Sequence, residues 1–260
     1  MRFLLTLLVA LLGAGVGSFL NVAAVRLHER RSLGGRSKCD ACGRTLGALE
    51  LVPVFGYVFL GGRCHACHAR IPWFHPVTEA AAALLFALAF WTRATHPLFV
   101  TWPIILAVVR DLAAVSFLVL LALTDLLYGE LPDRFTWPAI GVLAILAALA
   151  GRPPLDVLLG AVAGAAFFLI QRVLSRGAWV GDGDAFLGAA IGALLGVCGG
   201  LTAILLAYVY GAVAAVVLLA AHKANRKTAL PFAPFLSAAA LTVLFFGPAL
   251  WNAYLGLMMR

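Results

Sequence analysis

Apolar residues in this chain run in long unbroken stretches; they neither alternate with polar ones nor keep to one helical face. Eight stretches stand out: Phe3–Val25, Val77–Trp91, Leu112–Leu127, Trp137–Ala150, Leu155–Ile170, Ala185–Val197, Leu201–Ala221 and Leu230–Trp251. A helix needs ~20 mostly apolar residues to cross ~30 Å of hydrocarbon. Backbone polar groups in lipid must be satisfied internally, which leaves helices or closed barrels. Barrel strands of ~10 residues with alternating faces do not fit runs of this length. The pattern predicts an all-α polytopic membrane helical bundle of about eight spans. The one soluble-looking segment lies between the first two runs. The expected division is residues 1–25 as first span, 26–75 as insert and 76–260 as membrane core. Pro97–Val109 is also apolar, and Arg110 with Asp111 is read as the outer end of the third span.

Composition strengthens this picture. The chain is 63% hydrophobic and 12% charged, against about 45–50% and about 25% in soluble domains. The formal charge of +8 would suggest nucleic acid in a soluble protein. Here it sets orientation, because Lys and Arg collect in cytoplasmic loops, and no nucleic-acid partner is expected. Fourteen basic residues fall on one predicted face: Arg26, Arg30, Arg31, Arg36, Lys38, Arg44, Arg63, Arg70, Arg134, Arg172, Arg176, Lys223, Arg226 and Lys227. The other face has five: Arg2, Arg93, Arg110, Arg152 and Arg260. The first face is therefore cytoplasmic and the N-terminus outside. A cleaved signal peptide with small residues near Ala24 is the alternative, and the basic cluster directly after it argues against export.

The insert carries CDAC at Cys39–Cys42 and CHAC at Cys64–Cys67, separated by 21 residues. Two C-x2-C knuckles supply four thiolates, the ligand set of tetrahedral structural zinc. A pair of disulfides is the alternative, disfavoured on a reducing face. A metal with four sulfur ligands has no open position, so its role is folding. His65 and His68 read as loop residues beside the second knuckle, and Cys198 as a small packing residue.

Charged groups at apolar edges call for an explanation, since they are costly in lipid. Asp125 ends the third run and Asp184 begins the sixth, so both come to the cytoplasmic side at one depth. Asp133, after Pro132, reads as a helix N-cap, and Asp182 as a turn residue. Two neighbouring acids share a proton and divide the work. The ionised one takes a proton from water; the protonated one hydrogen-bonds the scissile carbonyl and later assists the leaving amine.

Several stretches together resemble the type IV prepilin peptidase family, also called leader peptidase/N-methyltransferase. They are GSFLNVAAVR at Gly17–Arg26, the cysteine segment running through RCHACHARIPWFHPVTE to Glu79, TDLLYGELPD at Thr124–Asp133 and VGDGD at Val180–Asp184. The resemblance implies that Asp125 and Asp184 are catalytic and that Asp133 and Asp182 are not. It implies a bacterial inner-membrane enzyme, embedded in the lipid bilayer, that cuts the basic leader of type IV prepilins or type II secretion pseudopilins at the cytoplasmic face. It also implies a second step, N-methylation from S-adenosylmethionine. No methyl-donor site is readable from spacing, and the glycines of GLTAILLAYVYGA suit helix packing better than a cofactor loop. Two positions depart from the family pattern: Ala83 stands near a usual Gly, and Phe186 stands in a usual Lys place. Glu130, Asp133 and Asp182 share the face that would meet a basic leader and are expected to attract it. The competing functions are a zinc-bearing membrane scaffold without activity and a cation or proton transporter built on paired acids. A transporter would place its acids at the midplane, in related repeats; here they lie at span ends and no repeat stands out.

Overall fold

The computed structural model describes residues 1–93, 101–177, 180–223, 225 and 230–258. Their elements are α1 (Arg2–His28), α2 (Phe55–Phe59), α3 (Phe74–Arg93), α4 (Trp102–Tyr128), α5 (Asp133–Leu149), α6 (Pro154–Ser175), α7 (Asp182–Ala220) and α8 (Ala233–Met258). Among the described residues there is no strand, only two isolated bridges. The all-α bundle expected from the apolar runs is the fold observed. The sixth and seventh runs share α7, as two helical segments that meet at a kink at Gly196. Among the described residues six helices, α1, α3, α4, α6, α7 and α8, are long and apolar enough to cross a membrane. Helix α5 has 17 residues.

The chain forms two compact units, Met1–Val100 and Thr101–Arg260. In the first, α1 packs along α3. The contact is close at two glycines of α1: a Cβ would come 2.6 Å from the Phe86 Cβ at Gly13 and 2.8 Å from the Glu79 Cα at Gly17. In the second, α7 packs against α5, α6 and α8, and its first half is almost wholly buried. Gly160 and Gly164 of α6 meet Gly188 and Gly192 of α7. A Cβ on Gly192 would stand 1.9 Å from the Gly160 carbonyl oxygen. Small residues four apart let two helix backbones touch, which is how helices associate in lipid.

Helix α7 is broken at Gly196, where φ is 74° and ψ is −177°. Such a break frees backbone groups that lipid cannot satisfy. Asp156, in the first turn of α6, fills the gap. Its Oδ1 accepts the Val197 N–H at 3.1 Å, and its Oδ2 accepts from Arg152 Nη1 at 2.7 Å. Replacing Asp156 by Ala removes the acceptor and should cost on the order of 2 kcal/mol. A thermal midpoint of the purified variant at or above that of the wild type would show that Asp156 does not support the break.

Three expectations are corrected. Helix α4 starts at Trp102 and not at Leu112, so Arg110 and Asp111 lie inside it. Arg110 is 8% exposed and Asp111 0%. Both Nε and Nη2 of Arg110 donate to Asp111 Oδ1, at 2.9 and 2.6 Å. Two opposite charges joined within the bundle let a helix continue where either alone would end it. Arg110 is thus not an exposed marker of orientation. Asp133 is the first helical residue of α5; Pro132 occupies the N-cap. There its charge still complements the helix dipole. Asp182, read as a turn residue, is the first residue of α7 and is ion-paired with Arg172. Arg226, Lys227, Arg260 and the Pro97–Val100 stretch lie outside the described residues.

Candidate active site and metal centre

The second unit gathers both acidic motifs. Asp125 sits in the last turn of α4, which Gly129 ends by adopting φ 66° and donating its N–H to the Asp125 carbonyl at 2.8 Å. The side chain is half-buried, and its Oδ2 accepts the N–H of Ala233, the first residue of α8, at 2.9 Å. The first four N–H groups of a helix have no partner within it, so a carboxylate there satisfies one and meets the positive end of the dipole. Asp184 occupies the third position of α7 and reaches back to accept the Gly181 N–H at 3.1 Å. This is the acidic half of a capping box; Gly181 has no side chain to supply the other half.

The motifs are drawn together by Leu131. It covers Gly183 so closely that a Cβ there would stand 2.5 Å from the Leu131 Cβ. The glycine between Asp182 and Asp184 is therefore a docking point for the loop after α4. Asp125 and Asp184 are near enough for their charges to interact. Among the described residues neither pairs with a cation. Tyr208 also lies within electrostatic range of Asp184. Its hydroxyl donates to Gln171 Oε1 at 2.8 Å, and its ring meets Phe232 at 5.1 Å. Phe186 packs against Trp137 with ring centroids 4.9 Å apart.

The first unit holds the cysteines. The Sγ atoms of Cys39, Cys42, Cys64 and Cys67 all lie within 4.8 Å of one another, a cluster that could hold a metal ion. Cys39 and Cys67 Sγ are 3.8 Å apart. Sulfurs ~2.3 Å from a tetrahedral zinc are about 3.8 Å apart, whereas a disulfide needs about 2.05 Å. The two knuckles share one construction. Cys39 N–H donates to the Arg44 carbonyl and Cys64 N–H to that of Ala69, each at 2.9 Å. The residue after each second cysteine is left-handed, Gly43 at φ 70° and His68 at φ 56°. Glycine does this freely, and His is among the few side chains enriched there. His65 and His68 are outside the cluster. The N–H groups of Cys67 and Ala66 hold the Cys64 thiol down to about 6, which favours the thiolate a metal needs. Cys198 is exposed on α7 and far in sequence from the other four.

Residues 11–93 match the bacterial peptidase A24 N-terminal domain, and residues 112–216 match the type IV leader peptidase family. A prepilin leader peptidase/N-methyltransferase of Bacillus subtilis (strain 168) is 32% identical over 252 residues, 94% of this chain and 95% of the relative. The chain belongs to the type IV leader peptidase family. Two further relatives bear the same name. That of Pseudomonas aeruginosa is 30% identical over 281 residues, covering 94% of this chain and 91% of its own. That of Neisseria gonorrhoeae is 28% identical over 276 residues, covering 95% and 92%. No solved structure matches. In this leader peptidase family member the N-terminal match lies within the unit that holds the cysteines, and the peptidase match contains both Asp125 and Asp184. Helix α8 lies beyond the matched regions, yet it supplies the N–H that holds Asp125. That contact joins residues 108 apart in sequence. The apolar pattern carries no sign of it; the one signal is the Pro-Phe-Ala-Pro break at 231–234 before the last run.

Proposed function

We propose that this chain is an aspartic endopeptidase of the bacterial inner membrane. It cleaves the basic leader of a type IV prepilin or type II secretion pseudopilin at the cytoplasmic face and then methylates the new N-terminus. The observation that carries the reading is the approach of two carboxyls from separate motifs, each fixed by one backbone N–H. With one oxygen of each so engaged, the remaining oxygens serve water and substrate. One carboxylate, ionised, takes a proton from water as its oxygen attacks the scissile carbonyl carbon. The other, protonated, donates to the carbonyl oxygen as charge develops there. Collapse of the tetrahedral intermediate breaks the C–N bond, and the proton taken from water passes to the departing amine.

The setting suits this substrate class. Both acids lie at helix ends, where a hydrophobic segment would emerge from lipid with its leader in water. The basic residues Arg134, Arg172 and Arg176, in and beside the loops at these helix ends, support their cytoplasmic placement, with an N-terminus outside. Asp133 is exposed and available to a basic leader; the charge of Asp182 is offset by Arg172. Zinc is the metal best suited to four thiolates, and it would serve the insert as a fold element.

The test is processing by purified full-length protein of a prepilin with a basic leader, with the product N-terminus read by mass spectrometry. The expected product begins at the first residue of the hydrophobic helix and gains one methyl group when S-adenosylmethionine is present. An uncut prepilin, or a cut inside the hydrophobic segment, would reject the proposal.

A further inference from the structure

Helix α3 has 20 residues, just the ~20 that a crossing takes. Its first residue, Phe74, therefore stands at the edge of the hydrocarbon. Glu79, in the second turn, lies about 7.5 Å further in, at a rise of ~1.5 Å per residue. Its Oε2 accepts the N–H of Val54 at 2.7 Å. Val54 is the N-cap of α2, so the short helix of the insert starts at that depth. Val54 itself sits at φ 63°, a conformation that a β-branched residue keeps only where surrounding structure enforces it. Gly56 is the other fixed point. A Cβ there would stand 2.6 Å from the Glu50 carbonyl oxygen, so this side of α2 is pressed on the 3-10 turn Leu49–Leu51. The remaining side is apolar and bare. Phe55 and Phe59 stack with ring centroids 6.3 Å apart. Phe59 is 84% exposed and Val58 64%.

Beyond α2 the chain turns back on itself. Arg63 and Arg70 form an isolated antiparallel bridge, which sets two guanidinium side chains beside each other. Like charges placed opposite one another repel, and an anion between them relieves the repulsion. Both arginines are exposed, and among the described residues neither pairs with an acid. The chain then reaches Trp73, 71% exposed, directly before α3. Val77 and Leu84, both exposed, continue the apolar surface along one face of α3. Aromatic rings at a membrane boundary with arginines beside them compose an interfacial segment, which sinks about 5–10 Å into the headgroup and acyl boundary. The depth fixed by Glu79 agrees. We propose that α2 and Trp73 lie in the bilayer interface where α3 enters the membrane, with Arg63 and Arg70 against the headgroups of anionic phospholipids. The insert is then partly embedded and not a domain free in water. Arg63 and Arg70 also flank the second knuckle, Cys64–Cys67, so the lipid contact holds the cysteine cluster at the membrane surface.

The experiment reads depth by paramagnetic resonance in full-length protein reconstituted into nanodiscs. A nitroxide side chain, introduced as an encoded residue so that the cysteines stay untouched, replaces Phe55, Phe59, Leu84 or Ser32 in turn. Oxygen concentrates in lipid, and a nickel chelate stays in water. Metal content and thermal midpoint report folding, and prepilin cleavage is followed in parallel. In discs of phosphatidylcholine with phosphatidylglycerol, the oxygen-to-nickel accessibility ratio at Phe55 and Phe59 should match that at Leu84 and exceed that at Ser32 by about tenfold. Arg63→Glu combined with Arg70→Glu should lower the ratio at Phe59 severalfold in those discs and leave it unchanged in phosphatidylcholine alone. High nickel access at both α2 positions would put α2 in water and overturn the proposal. Low access to both reagents would mean that protein covers α2, and would overturn it equally. A lipid-like ratio that the double charge reversal does not lower in anionic discs would overturn the headgroup contact. Discs present both faces of the membrane, so these readings do not depend on which face is cytoplasmic. Any of the overturning results with cleavage intact would leave the proposed peptidase function standing.

Discussion

Asp125→Asn and Asp184→Asn should each lower the rate of prepilin cleavage by about a thousandfold or more, with little change in stability. Both halves of this expectation come from the local geometry. Each carboxylate accepts one backbone N–H, from Ala233 or from Gly181. The amide oxygen of Asn can accept the same bond, so the α8 start and the α7 cap survive. What the amide cannot do is take a proton from water or return one to the leaving amine. Positioned acid–base groups contribute about 10²–10⁴-fold each. The loss should therefore appear in kcat, with KM for the prepilin nearly unchanged. Asp182→Asn is the contrasting case. It removes an ion pair whose acid is 75% exposed, worth at most about 1 kcal/mol, and cleavage should stay within a fewfold of wild type. Residual activity above about one tenth in either Asp125→Asn or Asp184→Asn would remove that residue from the chemistry.

The second large effect concerns the metal centre. Stripping metal from the purified protein, or replacing Cys64 by Ser, should unfold segment 26–75 while leaving the apolar helices in place. This segment has little else to hold it. Its regular structure amounts to one 3-10 turn, the five-residue α2 and two isolated bridges. Several of its large apolar residues, such as Leu49 and Phe59, are exposed. Segments this small rarely fold without a metal or disulfide, and structural zinc supplies an apparent ~10–16 kcal/mol in small domains. Limited trypsin digestion reads the change, because the segment is rich in Arg and Lys. Cutting within it should become at least tenfold faster after chelation, and added zinc should restore protection. Equal protection with and without metal, the metal content being checked, would show that the cysteines do not hold the fold.

Much of this arrangement was legible from letters. The apolar runs announced a helical membrane protein because nothing else satisfies a backbone in lipid. Two C-x2-C pairs announced a sulfur cluster because knuckle spacing is a local property. The nearness of Asp125 and Asp184 followed from two span ends falling on one side. The unread features all depend on contacts distant in sequence. The Ala233 N–H on Asp125, Leu131 over Gly183, and Gly160 against Gly192 each need two elements to meet, and no single stretch encodes the meeting. The early start of α4 was missed for another reason. Its local interruption, Arg110–Asp111, reads as a boundary. The pairing of the two charges compensates it, and the helix goes on. The boundary expected between the sixth and seventh runs does correspond to a break, at Gly196.

The most direct measurement is a double-mutant cycle on prepilin cleavage. Wild type, Asp125→Asn, Asp184→Asn and the double variant are compared under single-turnover conditions. Groups that act as one unit are strongly non-additive, so the double variant should retain about the same residual rate as either single one. Two losses that multiply, or a double variant that still cuts at a rate near wild type, would contradict a shared aspartate centre.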